Sequence, residues 1–114
     1  MSNKPGSDPY LGEFEQLVLL ALLQLGGEAY GVRVRQDLER RAGRRVSLGT
    51  VYTTLNRLEA KGLIRSRIGD PTPERGGRRK KHYVVVSAGR RALRVSLTAL
   101  RRMTRGLDAA LEAP

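Results

Sequence analysis

The chain contains no cysteine, no tryptophan and a single histidine, His82, in 114 residues. Without thiols there is no disulfide, no thiolate metal site and no cysteine nucleophile. One histidine leaves no convincing Ser-His-Asp arrangement and no histidine-rich metal cluster. Gly76-Gly77 lacks the spacing of a phosphate-binding loop. The longest apolar run, Leu17 to Leu23, is far short of the roughly 20 residues a membrane helix needs. The expectation is therefore a protein that is not an enzyme, carries no cofactor or metal, and is cytoplasmic rather than membrane-bound. Acid is also scarce, with 11 Asp and Glu against 22 Lys and Arg, for a net charge of +11. A chain so basic suits a polyanionic partner: DNA, RNA or an anionic surface.

Its length suits one domain of modest stability, which further burial against a second copy would increase. Residues 1–10 are polar and rich in Pro and Gly, show no leader pattern, and are expected to form a flexible tail. From Glu13 to Leu25 apolar residues recur at three and four, with Leu19, Leu20 and Leu23 off the main stripe, so a helix covered on most sides is predicted. Gly26-Gly27 stops it. A second helix is predicted from about Tyr30 to Ala42. Tyr30, Val34, Leu38 and Ala42 lie on one face; Arg33, Gln36, Asp37, Arg40 and Arg41 take the other, with Asp37 placed to pair with Arg41. Ser47 is a suitable N-cap for a third helix, whose inward stripe is Val51, Leu55 and Leu58.

Two strands are predicted next, Leu63 to Ile68 and Lys80 to Val86, joined by a long loop containing Pro71, Pro73, Gly76 and Gly77. A last helix is predicted from Ser87 to about Leu111. Leu93, Leu97, Leu100, Thr104, Leu107 and Leu111 form a leucine seam in it with one polar interruption. The fold class expected is mainly α with a small β-hairpin. Residues 11–86 would make a winged helix-turn-helix, and 87–114 a long dimerisation helix with Leu93, Leu97, Leu100, Leu107 and Leu111 at its contact. A leucine seam folded back on its own domain is the plainer alternative.

With the aliphatic stripe of the third helix buried, Thr50, Thr53, Thr54 and Arg57 are expected to point outward, with Tyr52 and Asn56 on the flanks. Short donors and acceptors plus one guanidinium suit a helix lying in a DNA major groove. No acid occurs from Ser47 to Leu58 to repel phosphates. The hairpin adds Arg65, Arg67, Arg75, Arg78, Arg79, Lys80 and Lys81 against only Asp70 and Glu74. Each feature alone also fits an ordinary solvated face. A basic wing beside a groove-shaped helix is more specific than either part.

The ordered set Tyr30-Gly31, Val46-Ser47-Leu48-Gly49-Thr50-Val51-Tyr52, Leu55 through Ile64, Gly76 through Tyr83 and Val86-Ser87-Ala88-Gly89 resembles the PadR family of transcriptional regulators. The resemblance covers roughly Leu11 to Leu97, and the single C-terminal helix matches the family's short branch. It implies a winged-helix repressor dimerising through its C-terminal helix, with the partner's N-terminal helix joining the interface. It also implies that Tyr52 touches the DNA backbone, that Ser47, Thr50, Thr53, Asn56 and Arg57 are candidates for groove contacts, and that Arg78, Arg79 and Lys80 meet phosphates. Lacking tryptophan, the chain has no counterpart of the aromatic pair that holds flat ligands in some members, so an effector stays unidentified. The expected function is a sequence-specific regulator binding double-stranded DNA as a homodimer on a palindromic operator. The rivals are a winged-helix protein-interaction module and an RNA-binding protein, although the deep, narrow major groove of RNA would not admit the third helix.

Overall fold

The computed structural model describes residues 11–71 and 79–114. Helix α1 spans Glu13–Leu25, and a single 3-10 turn, Gly26–Glu28, leads into α2, Gly31–Ala42. Helix α3 spans Leu48–Ala60, strands β1 and β2 span Ile64–Pro71 and Arg79–Val85, and α4 and α5 span Ser87–Thr104 and Asp108–Glu112. Three helices, an antiparallel hairpin and a long helix thus follow one another as the hydrophobic periods predict.

Helix α1 lies at the centre because it is apolar nearly all round. Val18, Leu19, Ala21 and Leu22 are buried, and α2, α3, β2 and α4 all pack against it. Val34 and Leu38 from α2 and Val51, Leu55 and Leu58 from α3 complete the core from below. Ile64, Tyr83 and Val85 from the hairpin close it from the side, and Leu93 from α4 closes the top. Strand alternation sends Tyr83 and Val85 inward while Val84 stays exposed, as the period of two requires. Leu23 on α1 also stays exposed, so the covering of this helix is incomplete within one chain.

A buried ion pair joins two of the helices, and a second buried carboxylate is paired within α2. Glu15, buried on the first turn of α1, accepts from the Lys61 ammonium at 2.8 Å and from the Gly12 backbone N–H at 2.9 Å. That pair ties the start of α1 to the end of α3. Burial alone would raise the Glu15 pKa. The hydrogen bonds from Lys61 and Gly12 and the charges of Lys61 and Arg57 outweigh burial and hold it below the ordinary carboxylate value. Asp37 accepts from Arg41 at 2.7 Å, the expected i,i+4 pair, and from Arg40 at 3.4 Å. Asp37 itself is buried, not set on an outer face. Its position, three after Val34, falls on the edge of the core stripe, and the two guanidiniums cover its carboxylate.

The end of the chain departs from the expected single helix. Helix α4 stops at Thr104, and Gly106 takes a left-handed φ of 78°, which redirects the backbone before α5. A residue with a side chain resists that conformation, and glycine does not. The leucine seam is divided accordingly. Leu93 is buried in its own domain's core and Leu97 packs against it. Leu100, Leu107 and Leu111 are exposed, the last two beyond the break.

Candidate nucleic-acid interface

The hydroxyl of Ser47 accepts the backbone N–H of Thr50 at 3.1 Å and lies 2.9 Å from the Thr50 hydroxyl. This cap starts α3 and gives Ser47 a local duty beside any contact with a ligand. Val51, Leu55 and Leu58 anchor the helix as expected. The opposite side carries Thr50, Tyr52, Thr53, Asn56 and Arg57, all exposed. Thr54 does not join them. It is only 4% exposed, because positions i, i+3, i+4 and i+7 from Val51 form one continuous stripe and Thr54 is the i+3 member.

Thr50, Thr53 and Arg57 border an open cleft of about 640 Å³ that also includes Phe14, Ser47, Gly49 and Thr54. The cleft is floored by apolar and hydroxyl groups and rimmed by one guanidinium. No acid lines it. Tyr52 lies toward the other edge of α3, with its ring across the start of α2. A Cβ placed on Gly31 would meet the Tyr52 ring carbon Cζ and hydroxyl oxygen at 2.4 Å. The bare backbone of Gly31 is what lets the phenol lie there. Spacing gives no hint of this link, although both residues belong to the motif set.

The hairpin stands beside α3. Its register pairs Ile64 with Val85, Ser66 with Tyr83, Arg67 with His82 and Ile68 with Lys81, and it shifts between Ile68 and Pro71. Arg65, Arg67 and Lys81 are exposed along it. Lys80 is half-buried, its ammonium 4.3 Å from the centre of the Tyr30 ring, a contact that holds the start of β2. His82 presents Nδ1 to the Gly27 carbonyl at 3.0 Å and packs edge-on against Tyr30. The Tyr83 N–H donates to the Ala29 carbonyl. His82 therefore fastens the hairpin to the loop between α1 and α2, a structural post rather than a general base. Burial raises the pKa of Tyr83, helped by the neighbouring Tyr52 and Glu59. Arg75 and Arg78 lie outside the described residues, and Arg79 is described only through its backbone in β2.

The structure thus brings Thr50, Tyr52, Thr53, Asn56 and Arg57 onto one exposed face, and sets Lys80 at the start of β2. It separates Leu93 and Leu97 from Leu100, Leu107 and Leu111. Among the described residues no group of three or more His, Asp or Glu could hold a metal ion, and no helix is long and apolar enough to cross a membrane.

Comparison with known proteins gives a consistent result. A model of the transcriptional regulator PadR-like family matches residues 19–95. The chain is similar to a transcriptional regulator of Mycobacterium tuberculosis, 42% identical over 80 residues, which are 68% of each protein. Its fold is similar to a PadR family transcription regulator from Clostridium difficile, with TM-score 0.70 at 24% identity over 88% of this chain and 99% of that one. It is likewise similar to a PadR family regulator from Eggerthella lenta, with TM-score 0.64 at 29% identity over 90% of this chain and 88% of that one.

Proposed function

The chain belongs to the PadR-like family of transcriptional regulators, a DNA-binding regulator and not an enzyme, and from that premise we propose that it is a repressor that binds a palindromic operator as a homodimer. The observation that carries this reading is the outer face of α3. It is capped by Ser47, exposes Thr50, Tyr52, Thr53, Asn56 and Arg57, and holds no acid before Glu59.

Residues 11–86 bind DNA and residues 87–114 join two copies. Helix α3 enters the major groove, where Thr50, Thr53, Asn56 and Arg57 reach base edges or phosphates. Tyr52 meets the backbone. The wing, with Arg78, Arg79 and Lys80, tracks adjacent phosphates. With a net charge of +11, association is steered by electrostatics and weakens with salt. A two-fold dimer sets its two α3 helices about 34 Å apart, one turn of duplex, so the operator repeats with inverted symmetry. Seated on a promoter, such a dimer excludes polymerase. A signal relieves repression only by binding one dimer geometry better than the other.

The surface left open supports the dimer. On α4, Val95, Leu100 and Met103 are exposed, and Leu23 on α1 adds to the apolar area. Selection of bound sequences from random duplexes by the purified protein tests the reading. An inverted repeat should emerge, and duplex RNA should compete poorly. Recovery of unrelated sequences, or equal competition by RNA, would overturn it.

A further inference from the structure

Phe14 belongs by its helical period to the apolar stripe of α1, and it packs against the core. It is nevertheless only half-buried. It also lines the open cleft of about 640 Å³ beside α3, where it is the one large apolar side chain among Thr50, Thr53, Thr54 and Arg57. Water against that edge of the ring leaves apolar surface that an apolar ligand group would cover favourably.

The ring is held in register with α3. Glu15, the next residue, accepts from Lys61 at the end of α3 at 2.8 Å. Its other carboxylate oxygen accepts the Gly12 backbone N–H at 2.9 Å, which fixes the first turn of α1. Glu13, on the other side of Phe14, is paired with Arg44. Both acids that flank the ring are thus neutralised by bases of the chain, so this end of α1 does not repel phosphates. Thr50 and Thr53, exposed on α3, each bring a methyl and a hydroxyl to the same cleft.

We propose that Phe14 is a specificity-determining residue that reads thymine: with α3 in the major groove, a thymine C5-methyl enters this cleft and rests on the Phe14 ring beside the methyls of Thr50 and Thr53. This rests on the DNA-binding reading above and adds a base preference carried by a residue outside α3. The choice of base follows from what the major-groove edges offer. Guanine and adenine present acceptors and an amino group, cytosine presents an amino group, and thymine alone presents a methyl. A polar edge set against the ring loses its water and gains no hydrogen bond there. A methyl loses only apolar exposure. Arg57, at the rim, stays available for a guanine or a phosphate. The same contact favours DNA over RNA, because uracil lacks the methyl.

Removing single methyls from the DNA tests this. In the operator selected from random duplexes, each thymine is replaced in turn by deoxyuridine, and the affinity of the full-length chain is followed by fluorescence anisotropy. The parent should lose about three- to fivefold at one thymine of the site, the worth of one buried methyl. Phe14→Ala should bind the intact operator more weakly and be indifferent to that replacement. Phe14→Leu keeps an aliphatic side chain on the core and removes the outer edge of the ring, so it should fold like the parent and show the same indifference. Thermal unfolding followed by circular dichroism confirms that the variants fold. A parent indifferent to every replacement, or an operator without thymine, would overturn the proposal. So would variants that keep the full penalty, which would assign the methyl to the threonines alone, or that lose equally on operator and random duplex, which would set the ring against a sugar. A chain that selects no sequence at all would instead remove the regulator reading beneath it.

Discussion

At the level of single side chains, Arg57 and Gly31 make the clearest claims. Arg57 sits exposed on α3 at the rim of the cleft, and a guanidinium paired with a guanine discriminates by about 1–3 kcal/mol. Arg57→Ala should therefore weaken binding to the selected operator by that amount while changing affinity for random duplex much less. Equal losses on both would assign Arg57 to phosphate contact. Gly31 acts through Tyr52. On helix propensity alone, Gly31→Ala should stabilise the protein slightly. Its new Cβ instead collides with the Tyr52 phenol and must move it. Operator affinity should fall by about 1 kcal/mol, the worth of one hydrogen bond, and the same change made in a Tyr52→Ala background should have no further effect. A full loss persisting in that background would separate the two residues.

Elements carry the next set of effects. The wing contributes charge, so Arg78→Ala with Arg79→Ala should lower affinity for all duplexes alike. It should also flatten the dependence of binding on salt by about 2 units, close to one for each phosphate that is no longer neutralised. An unchanged slope would remove these residues from the phosphates. The junction of α1 with α3 depends on Glu15 and Lys61. Because the folded pKa of Glu15 lies below its unfolded value, its contribution is present above the ordinary carboxylate range and is lost as pH falls through the folded pKa. Glu15→Gln should cost about 1–3 kcal/mol at neutral pH and should reduce the acid sensitivity of unfolding. Denaturant titrations at several pH values check this, and parallel curves for the two proteins would contradict it.

For the molecule as a whole, the proposed homodimer would have to draw on the apolar surface left outside the core. Leu100 is 52% and Met103 75% exposed, so Leu100→Lys with Met103→Lys should leave the fold intact and yield monomers. Leu97 is a poorer probe, because it also packs on its own core. Monomers should bind an operator far more weakly than the dimer, since each holds a single half-site. A dimer persisting on a sizing column would place the interface elsewhere.

The pattern of the sequence by itself determined the first three helices and the hairpin, the start of α4, the inward stripe of α3, the Ser47 cap and the inward facing of Tyr83 and Val85. All of these follow from local periodicity and capping, which act over a few residues. The outward set Thr50, Tyr52, Thr53, Asn56 and Arg57 was legible for the same reason, and Thr54 was misplaced because an inward stripe read at i, i+4 and i+7 omits its i+3 edge. Long-range packing settled the remainder. Burial of Asp37 depended on how α2 meets its neighbours, and the fit of Tyr52 over Gly31 joins elements that no period connects. The heptad spacing of Leu93 through Leu111 continues unbroken through Gly106, so the pattern alone could not show where the helix turns. Only the three-dimensional packing divided those leucines. It drew Leu93 and Leu97 into the domain and left Leu100, Leu107 and Leu111 outside, because a core of this size closes over the first turns of α4 and has no surface left to cover the rest.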